Sequence, residues 1–335
     1  IVFEDANFKA YLIKNFDNDN DGEISFEEAL DITKISINTV NVKSLSGIEH
    51  MPNLTFLDCN GPFSWDSERG KYVGEGGQLE SLDVSHNPKL GSLYCGFNKL
   101  TDLDVSNKTS LTRLFCDYNK LTSINLDNTV SLRQLKAYNN NLTHINLSNS
   151  KNLTYADVEN NQLQSLDIRQ NPNLTYLDCD NNKIPSLDIS NNVNLTTLSC
   201  YLNDIHALDL SHNAKIEILD CGRNNISSLD LSSCPDLKKF WCRNGILTAI
   251  DLNCCPKLES VNIYNNQIKS LDISEITGLQ IFNCLKNPLK KLYLFKGQFD
   301  AITTKEVPSG VVLIVKGTAK GGNEDTTTGD KFTLE

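Results

Sequence analysis

A chain of 335 residues with a formal charge of −11 and 39% apolar residues is acidic throughout. That balance excludes nucleic acid and anionic membrane surfaces as partners, since both attract a basic face. No run of 18 or more apolar residues is present, so nothing in the chain has the length to span a membrane as a helix. The chain opens on Ile1 and its single Met is Met51. The expectation is a processed, exported product, secreted or held at a cell surface, with its signal removed.

Residues 1–36 stand apart from the rest. After Asp5, the apolar residues Phe8, Tyr11, Leu12 and Phe16 follow helical spacing. The stretch DNDNDGEISFEE then runs from Asp17 to Glu28. Asp17, Asp19 and Asp21 stand at loop positions 1, 3 and 5, Gly22 at the sharp turn, Ile24 at the apolar position, Ser25 at 9 and Glu28 at 12. This resembles an EF-hand calcium loop at each diagnostic position. Calcium takes six to eight oxygens. The expected set is Asp17, Asp19, Asp21, the carbonyl of Glu23, a water held by Ser25, and bidentate Glu28. Ser25 and Glu28 also spell a capping box for a second helix, whose apolar face is expected at Phe26, Ala29 and Leu30. A single loop suits a structural calcium that fixes residues 1–36 as a helical cap.

Residues 37–294 form the body of the chain. From Leu90 a 21-residue phrase, at its cleanest LTYLDCDNNKIPSLDISNNVN from Leu174, is spoken ten times without slipping register. Apolar residues recur at +3, +5, +10, +13 and +15 from the opening Leu, and Asn recurs at +8 with Gly245 as the one exception. Such a unit cannot bury its apolar face alone, so copies must stack into a solenoid with one continuous core. Ile35 to Ile48 begin it as an irregular half-copy. The repeat that starts at Leu54 is interrupted by an insert over 61–77, carrying Phe63, Trp65, Tyr72 and several Gly. It reads either as a binding-side loop or as a hairpin that packs its own aromatics on the array.

Eight of the eleven Cys fall at +5, a slot that also holds Ala137, Val158 and Ile263. A slot indifferent to Ala, Val, Ile or Cys is small, buried and apolar, and free Cys suits it. The prediction is a ladder of reduced thiols. Cys234, Cys254 and Cys255 lie outside that column, in loops, and are expected to be free. Asp recurs at +14 beside Ser at +16 and is expected to be satisfied locally by the backbone and by that Ser. Residues 295–335 lose the period. VVLIV at 311–315 reads as a capping strand, and 317–335 as a mobile tail.

The repeat L-x-x-L-x-C-x-x-N-x-L-x-x-L-D-L-S-x-N resembles bacterial leucine-rich-repeat surface proteins, in particular the internalin class with 21-residue, cysteine-ladder repeats. The EF-hand-like opening ahead of such repeats resembles gut Bacteroidetes surface proteins. The resemblance implies a right-handed, mostly β solenoid with a parallel sheet on its concave face. It also implies ligand binding or adhesion and no catalysis. Neither an immunoglobulin-like linker nor an LPxTG anchor motif accompanies it.

In this repeat +2, +4 and +6 are expected to point outward from the concave face. Those columns bring together Asp157, Glu159, Asp178, Asp180 and Asp220, surrounded by Phe115, Tyr138, Tyr155, Tyr176, Tyr201, Trp241 and Tyr264. Exposed Tyr and Trp among polar neighbours are typical of recognition surfaces. The expectation is a monomeric binding or adhesion protein that presents this face to a protein or glycan ligand. A self-assembling surface protein is the alternative. A catalytic carboxylate pair fits poorly, because an open sheet offers no pocket to raise one pKa.

Overall fold

The computed structural model describes residues 1–67, 71–74, 76–316 and 331–333. The chain forms two compact units, Ile1–Leu174 and Thr175–Glu335. In the first, the strands Lys34–Ser36, Phe56–Asp58, Ser92–Tyr94, Arg113–Phe115, Gln134–Lys136 and Tyr155–Asp157 pair in that order, all parallel. In the second, Tyr176–Asp178 leads an equally parallel series through Thr197–Ser199, Ile218–Asp220, Lys239–Trp241, Ser260–Asn262 and Ile281–Asn283. Each repeat strand opposes its counterpart one repeat away, as Leu198 opposes Leu219. Each unit is therefore a β-solenoid, one coil per sequence copy.

The core is the repeat's apolar columns laid side by side. Leu93, Leu114 and Leu135 at +3, with Cys95, Cys116 and Ala137 at +5, are fully buried. In the second unit Leu177, Leu198 and Leu219 flank Cys179, Cys200 and Cys221 in the same way. All eleven Cys are free, and ten of them are buried, with Cys254 half-buried. Burial holds the Cys179 and Cys200 thiols well above their ordinary pKa, which keeps them protonated and inert.

Asn at +8 turns the chain out of each strand and knits one coil to the next. Asn140 donates to the carbonyls of Cys116, Ala137 and Tyr138 and accepts from the N–H of Leu121. Asn224 repeats the pattern on Cys200, Cys221, Gly222 and Ile205. Four backbone groups that a turn would otherwise leave orphaned are satisfied by one buried amide.

A further buried column runs at +18, where the apolar periodicity gives no sign of one. Asn87, Asn171 and Asn213 are fully buried there and donate to pairs of carbonyls on the preceding coil. Cys234 and Cys255 fill the same slot, so these two are core residues and not loop thiols. The Asp column at +14 behaves as its neighbours suggest. Asp209 and Asp230 accept the N–H of Ser211 and Ser232, which lowers their pKa.

Among the described residues, the second strand of the repeat forms only where neighbouring coils stay close. Asp102–Asp104 pairs with Ser123–Asn125 beside a Thr122 N–H to Thr101 carbonyl bond of 2.9 Å. Two repeats along, the equivalent Gln164 N–H to Thr143 carbonyl bond is stretched to 3.4 Å, and no strand forms there.

The ends are closed differently. At the start, helix α1 (Ala6–Phe16) buries Phe8 and Leu12, and helix α2 (Phe26–Asp31) buries Ala29. Phe26 and Leu30, expected on the buried face of α2, are instead 63% and 48% exposed. The helix has only six residues. Its inward turn is taken by Glu28 and Ala29, which rotates Phe26 and Leu30 outward. At the other end Val312–Lys316 pairs parallel with Lys291–Phe295 and caps the coil, as the VVLIV run suggests. Lys331–Thr333 pairs antiparallel with that cap, so this part of the expected tail is a strand. The rest of the tail call, 317–330 and 334–335, lies outside the described residues.

Candidate functional site

The N-terminal loop is built by two capped helices. Asp5 caps α1 by accepting from Asn7 and Phe8 N–H, and its other oxygen accepts from Lys43 N–H, which ties the helix to the first coil. Ser25 caps α2, with Ser25 Oγ accepting Glu28 N–H and Glu28 returning to Ser25 N–H. Between them Asn20 and Gly22 take left-handed φ of 63° and 82°, a turn that Gly makes without strain. Ile24 is fully buried and anchors the loop. The turn gathers Asp17, Asp19 and Asp21 until one carboxylate oxygen of each lies within 4.8 Å of the others. Asp17 Oδ1 is buried and has no hydrogen-bond partner. The N–H groups of Ser25 and Asn18 hold the Glu28 carboxyl below its ordinary pKa, so it is charged. Crowded carboxylates repel, and an orphaned buried acceptor lacks its counter-group. Both deficits suit a hard cation with oxygen ligands.

The first-strand face differs between the units. In the first it carries two aromatic rows. Phe56, Tyr94 and Phe115 pack ring against ring at 5.4 and 4.9 Å, and Lys136 Nζ lies 5.0 Å over Phe115 and 5.9 Å over Tyr155. The second row is Phe63 stacked on Phe97 at 5.2 Å, Phe97 stacked on Tyr118 at 4.5 Å, and Tyr138 edge-on to Tyr118 at 5.4 Å. Beneath them Asp117 is buried, bonded by the Tyr138 hydroxyl, and pushed up by burial to about 6. Asp157, expected to face outward, is only 8% exposed and accepts Glu159 N–H. Glu159 is half-buried beside it and accepts from Asn160 Nδ2.

In the second unit charge replaces aromatic stacking. Asp180 accepts Ser199 Oγ at 2.7 Å and Tyr201 N–H at 2.6 Å, and burial together with Asp178 pushes its pKa to about 8. Tyr176 donates its hydroxyl to Asp178 at 3.4 Å. Asp220, also expected to face outward, is 6% exposed and pairs with Arg243 at 2.9 Å. The Arg243 guanidinium lies 4.4 Å over the Tyr201 ring, Trp241 Nε1 donates to Ser260 Oγ, and Lys286 lies 5.2 Å over Tyr264. The acidic residues of this unit are thus largely committed to internal partners. Asp220 is covered because Arg243 of the next coil reaches back over it, and Asp157 because its carboxylate is drawn onto the Glu159 N–H of its own coil.

One set of residues escaped the column reading. Position +7 has left-handed φ in every copy, from Phe97 at 56° to Lys286 at 55°. Asn tolerates that conformation, whereas a bulky side chain is strained there. Five copies carry Asn at this position. Of the five that do not, Phe97 and Tyr118 build the second aromatic row, and Arg223 and Lys286 lie over Tyr201 and Tyr264. The signal was available as a departure from Asn at a turn. Strain kept in place while a side chain is aimed at one face is characteristic of functional positions.

No protein-family model and no curated protein matches the sequence. Solved structures do resemble it. The functional domain of InlJ from Listeria monocytogenes, which includes a cysteine ladder, is 27% identical, with a TM-score of 0.57 over 82% of this chain and 67% of that one. The internalin InlF from the same organism is 23% identical, with a TM-score of 0.64 over 92% and 96%. YopM, a leucine-rich effector protein from Yersinia pestis, is 26% identical, with a TM-score of 0.55 over 69% of each chain. The fold is the leucine-rich-repeat solenoid, and its neighbours include bacterial internalins. Among the described residues no helix is long and apolar enough to cross a membrane.

Proposed function

We propose that the chain is a non-catalytic, exported binding or adhesion protein that engages a protein or glycan through its first-strand face. The observation that carries this reading is the strained +7 column, where Phe97 and Tyr118 in the first unit, and Arg223 and Lys286 in the second, replace the tolerant Asn and bring rings or cations to the first-strand face of their own unit. Rigid aromatic and Arg side chains are the usual anchors of recognition surfaces. A glycan array and a panel of purified host surface proteins provide the test. Phe115→Ala with Tyr118→Asn in the first unit, and Tyr201→Ala with Trp241→Ala in the second, are the variants. At least one pair should weaken the strongest hit tenfold or more. Unchanged binding by both pairs would remove the first-strand face as the site.

The second element of the proposal is one calcium ion held by Asp17, Asp19, Asp21, the Glu23 carbonyl, Ser25 through water, and Glu28. It is favoured by the orphaned Asp17 oxygen. The Glu23 side chain is paired with Lys9 at 2.6 Å, in keeping with a role for its carbonyl alone. Calcium would neutralise the carboxylate cluster and pin α1 to α2. Titration calorimetry of the apo protein should show one site, weakened strongly by Glu28→Gln and by Asp17→Asn. Chelator should expose residues 1–36 to protease while the repeats stay protected. Equal calcium uptake by wild type and both variants would refute the assignment.

A further inference from the structure

The insert over 61–77 is fixed at its root. A Cβ on Gly61 would lie 1.9 Å from the Phe97 carbonyl oxygen, and one on Gly77 would lie 2.1 Å from the same atom. The same two glycines also meet each other, since either Cβ would come within 2.9 Å of the other's Cα. Only a residue without a side chain fits either position, so both feet of the insert are clamped to one coil. From that clamp Phe63–Asp66 pairs antiparallel with Lys71–Gly74, and Phe63 is stacked on Phe97 yet 49% exposed.

A cavity lies beside the clamp, with Gly61 in its lining. It measures about 240 Å³ and is lined by Ser36, Asn38, Asp58, Asn60, Pro62 and Phe63, with Ile37 and Gly61. Pockets for drug-sized molecules run from about 300 to 1,000 Å³, so this one accepts something nearer a single ring. Its polar groups are fixed before any ligand arrives. Asn60 Oδ1 accepts Gly96 N–H at 2.7 Å, which sets the flip of the amide and leaves its NH₂ as the donor. Asp58 accepts Asn60 N–H at 3.2 Å, and the Ser36 hydroxyl also bonds it. Asn38 is held by Val40 N–H at 2.9 Å. Among the described residues, no Lys, Arg or His lines the cavity.

We infer that this cavity is a subsite for one uncharged sugar ring, with Phe63 and Pro62 as the apolar wall and Asp58, Asn60 and Ser36 as hydroxyl partners. The combination is the reason. A sugar presents adjacent hydroxyls that each donate and accept, together with a C–H face that packs on a ring. A carboxylate, an amide and a hydroxyl within one small cavity match the first requirement, and a half-exposed Phe on a rigid root matches the second. The inference rests on reading the first-strand face as a ligand face, and it names the ligand class at one end of the first unit's face.

Saturation-transfer NMR on the whole chain tests it. The probes are methyl glycosides of mannose, glucose, galactose, fucose, N-acetylglucosamine and N-acetylgalactosamine, with Lys- and Arg-containing tetrapeptides alongside. At least one glycoside should receive saturation. That transfer should fall at least fivefold in Asp58→Asn and in Phe63→Ala, with Phe63→Leu, which keeps the bulk and loses the ring, intermediate. Amide spectra that match wild type outside the cavity would show that the variants fold. Transfer to no glycoside, transfer only to the peptides, or glycoside signals unchanged in both Asp58→Asn and Phe63→Ala would each overturn the subsite. If glycoside signals vanish instead in Phe115→Ala with Tyr118→Asn, the face reading stands and the subsite falls.

Discussion

The two units share a scaffold and differ in what they hang on it. In Ile1–Leu174 the first-strand face is a pair of packed aromatic rows with two buried carboxyls, Asp117 and Asp157. In Thr175–Glu335 the equivalent positions hold Asp178, Asp180, Asp220 and Arg243, closed into a network around Tyr201. Columns that build the core are the same in both, because each must fit the coil before and after it. Columns on the face carry no such constraint and have diverged. Scaffold substitutions should therefore behave alike in the two units, and face substitutions should not.

The largest effect should come from the shared part. Asn140→Ala in the first unit and Asn224→Ala in the second each leave buried carbonyls and one N–H without partners. Each unsatisfied group costs about 1–3 kcal/mol, so either variant should lose about 3 kcal/mol or more, and similarly so, in urea unfolding. A large difference between them would break the claim of one scaffold. Arg243→Ala comes next and has no counterpart in the first unit. It leaves Asp220 buried without its cation, at roughly 2 kcal/mol after allowing for the partial exposure of Arg243. That loss should shrink as the pH falls, because burial raises the Asp220 pKa and a protonated carboxyl no longer needs the cation.

The pH dependence of the second unit gives a smaller effect with a definite sign. Asp180 has a folded pKa near 8, above the ordinary carboxylate value. The folded state then binds the proton more tightly than the unfolded one, so its contribution is greatest at low pH and is lost as pH rises from about 4 to about 8. Asp180→Asn should be more stable than wild type at pH 8 by on the order of 1–2 kcal/mol, and equal to it at pH 4. Denaturant midpoints across that range are the measurement. The smallest effect is a gain. Gly245 is the missing rung of the +8 ladder, and a Cβ there would meet only Asn266 Oδ1 closely, at 2.9 Å. Gly245→Asn should stabilise by about 1 kcal/mol through a less flexible unfolded chain and restored hydrogen bonds. Thermal melts that show a loss would mean the neighbouring amide cannot shift.

What was legible in the sequence was whatever repeats in chemistry as well as in spacing. Leu at +3, Cys at +5 and Asn at +8 announce themselves because one residue type serves one slot. The buried +18 column did not, since Asn, Lys, Thr, Ser, Cys and Ile all occupy it and no periodicity of hydrophobicity betrays it. The burial of Asp157 and Asp220 was hidden for another reason: alternation along a strand does not say how far the next coil's side chains fold back over it. The left-handed backbone at +7 could have been suspected from its five Asn, but the aim of Phe97 or Arg223 depends on where the turn points. The turn that gathers Asp17, Asp19 and Asp21 was legible residue by residue, because its positions are fixed by local geometry within twelve residues. The fit of Gly61 against Gly77 was not, because the two meet across the insert.

The Asn ladder has a consequence for how such a chain changes length. Each Asn reaches only its own strand and the coil immediately before it, as Asn203 does on Cys200 and Cys179. Excising the segment 195–215 would bring Ile216 into the place of Leu195, with Asn224 standing where Asn203 stood. Every bond would find an identical partner. Unequal recombination in steps of 21 codons is therefore structurally silent, and a genetic lineage can lengthen or shorten the array without inventing a new contact. Related strains should differ in copy number before they differ in the residues that hold a copy together.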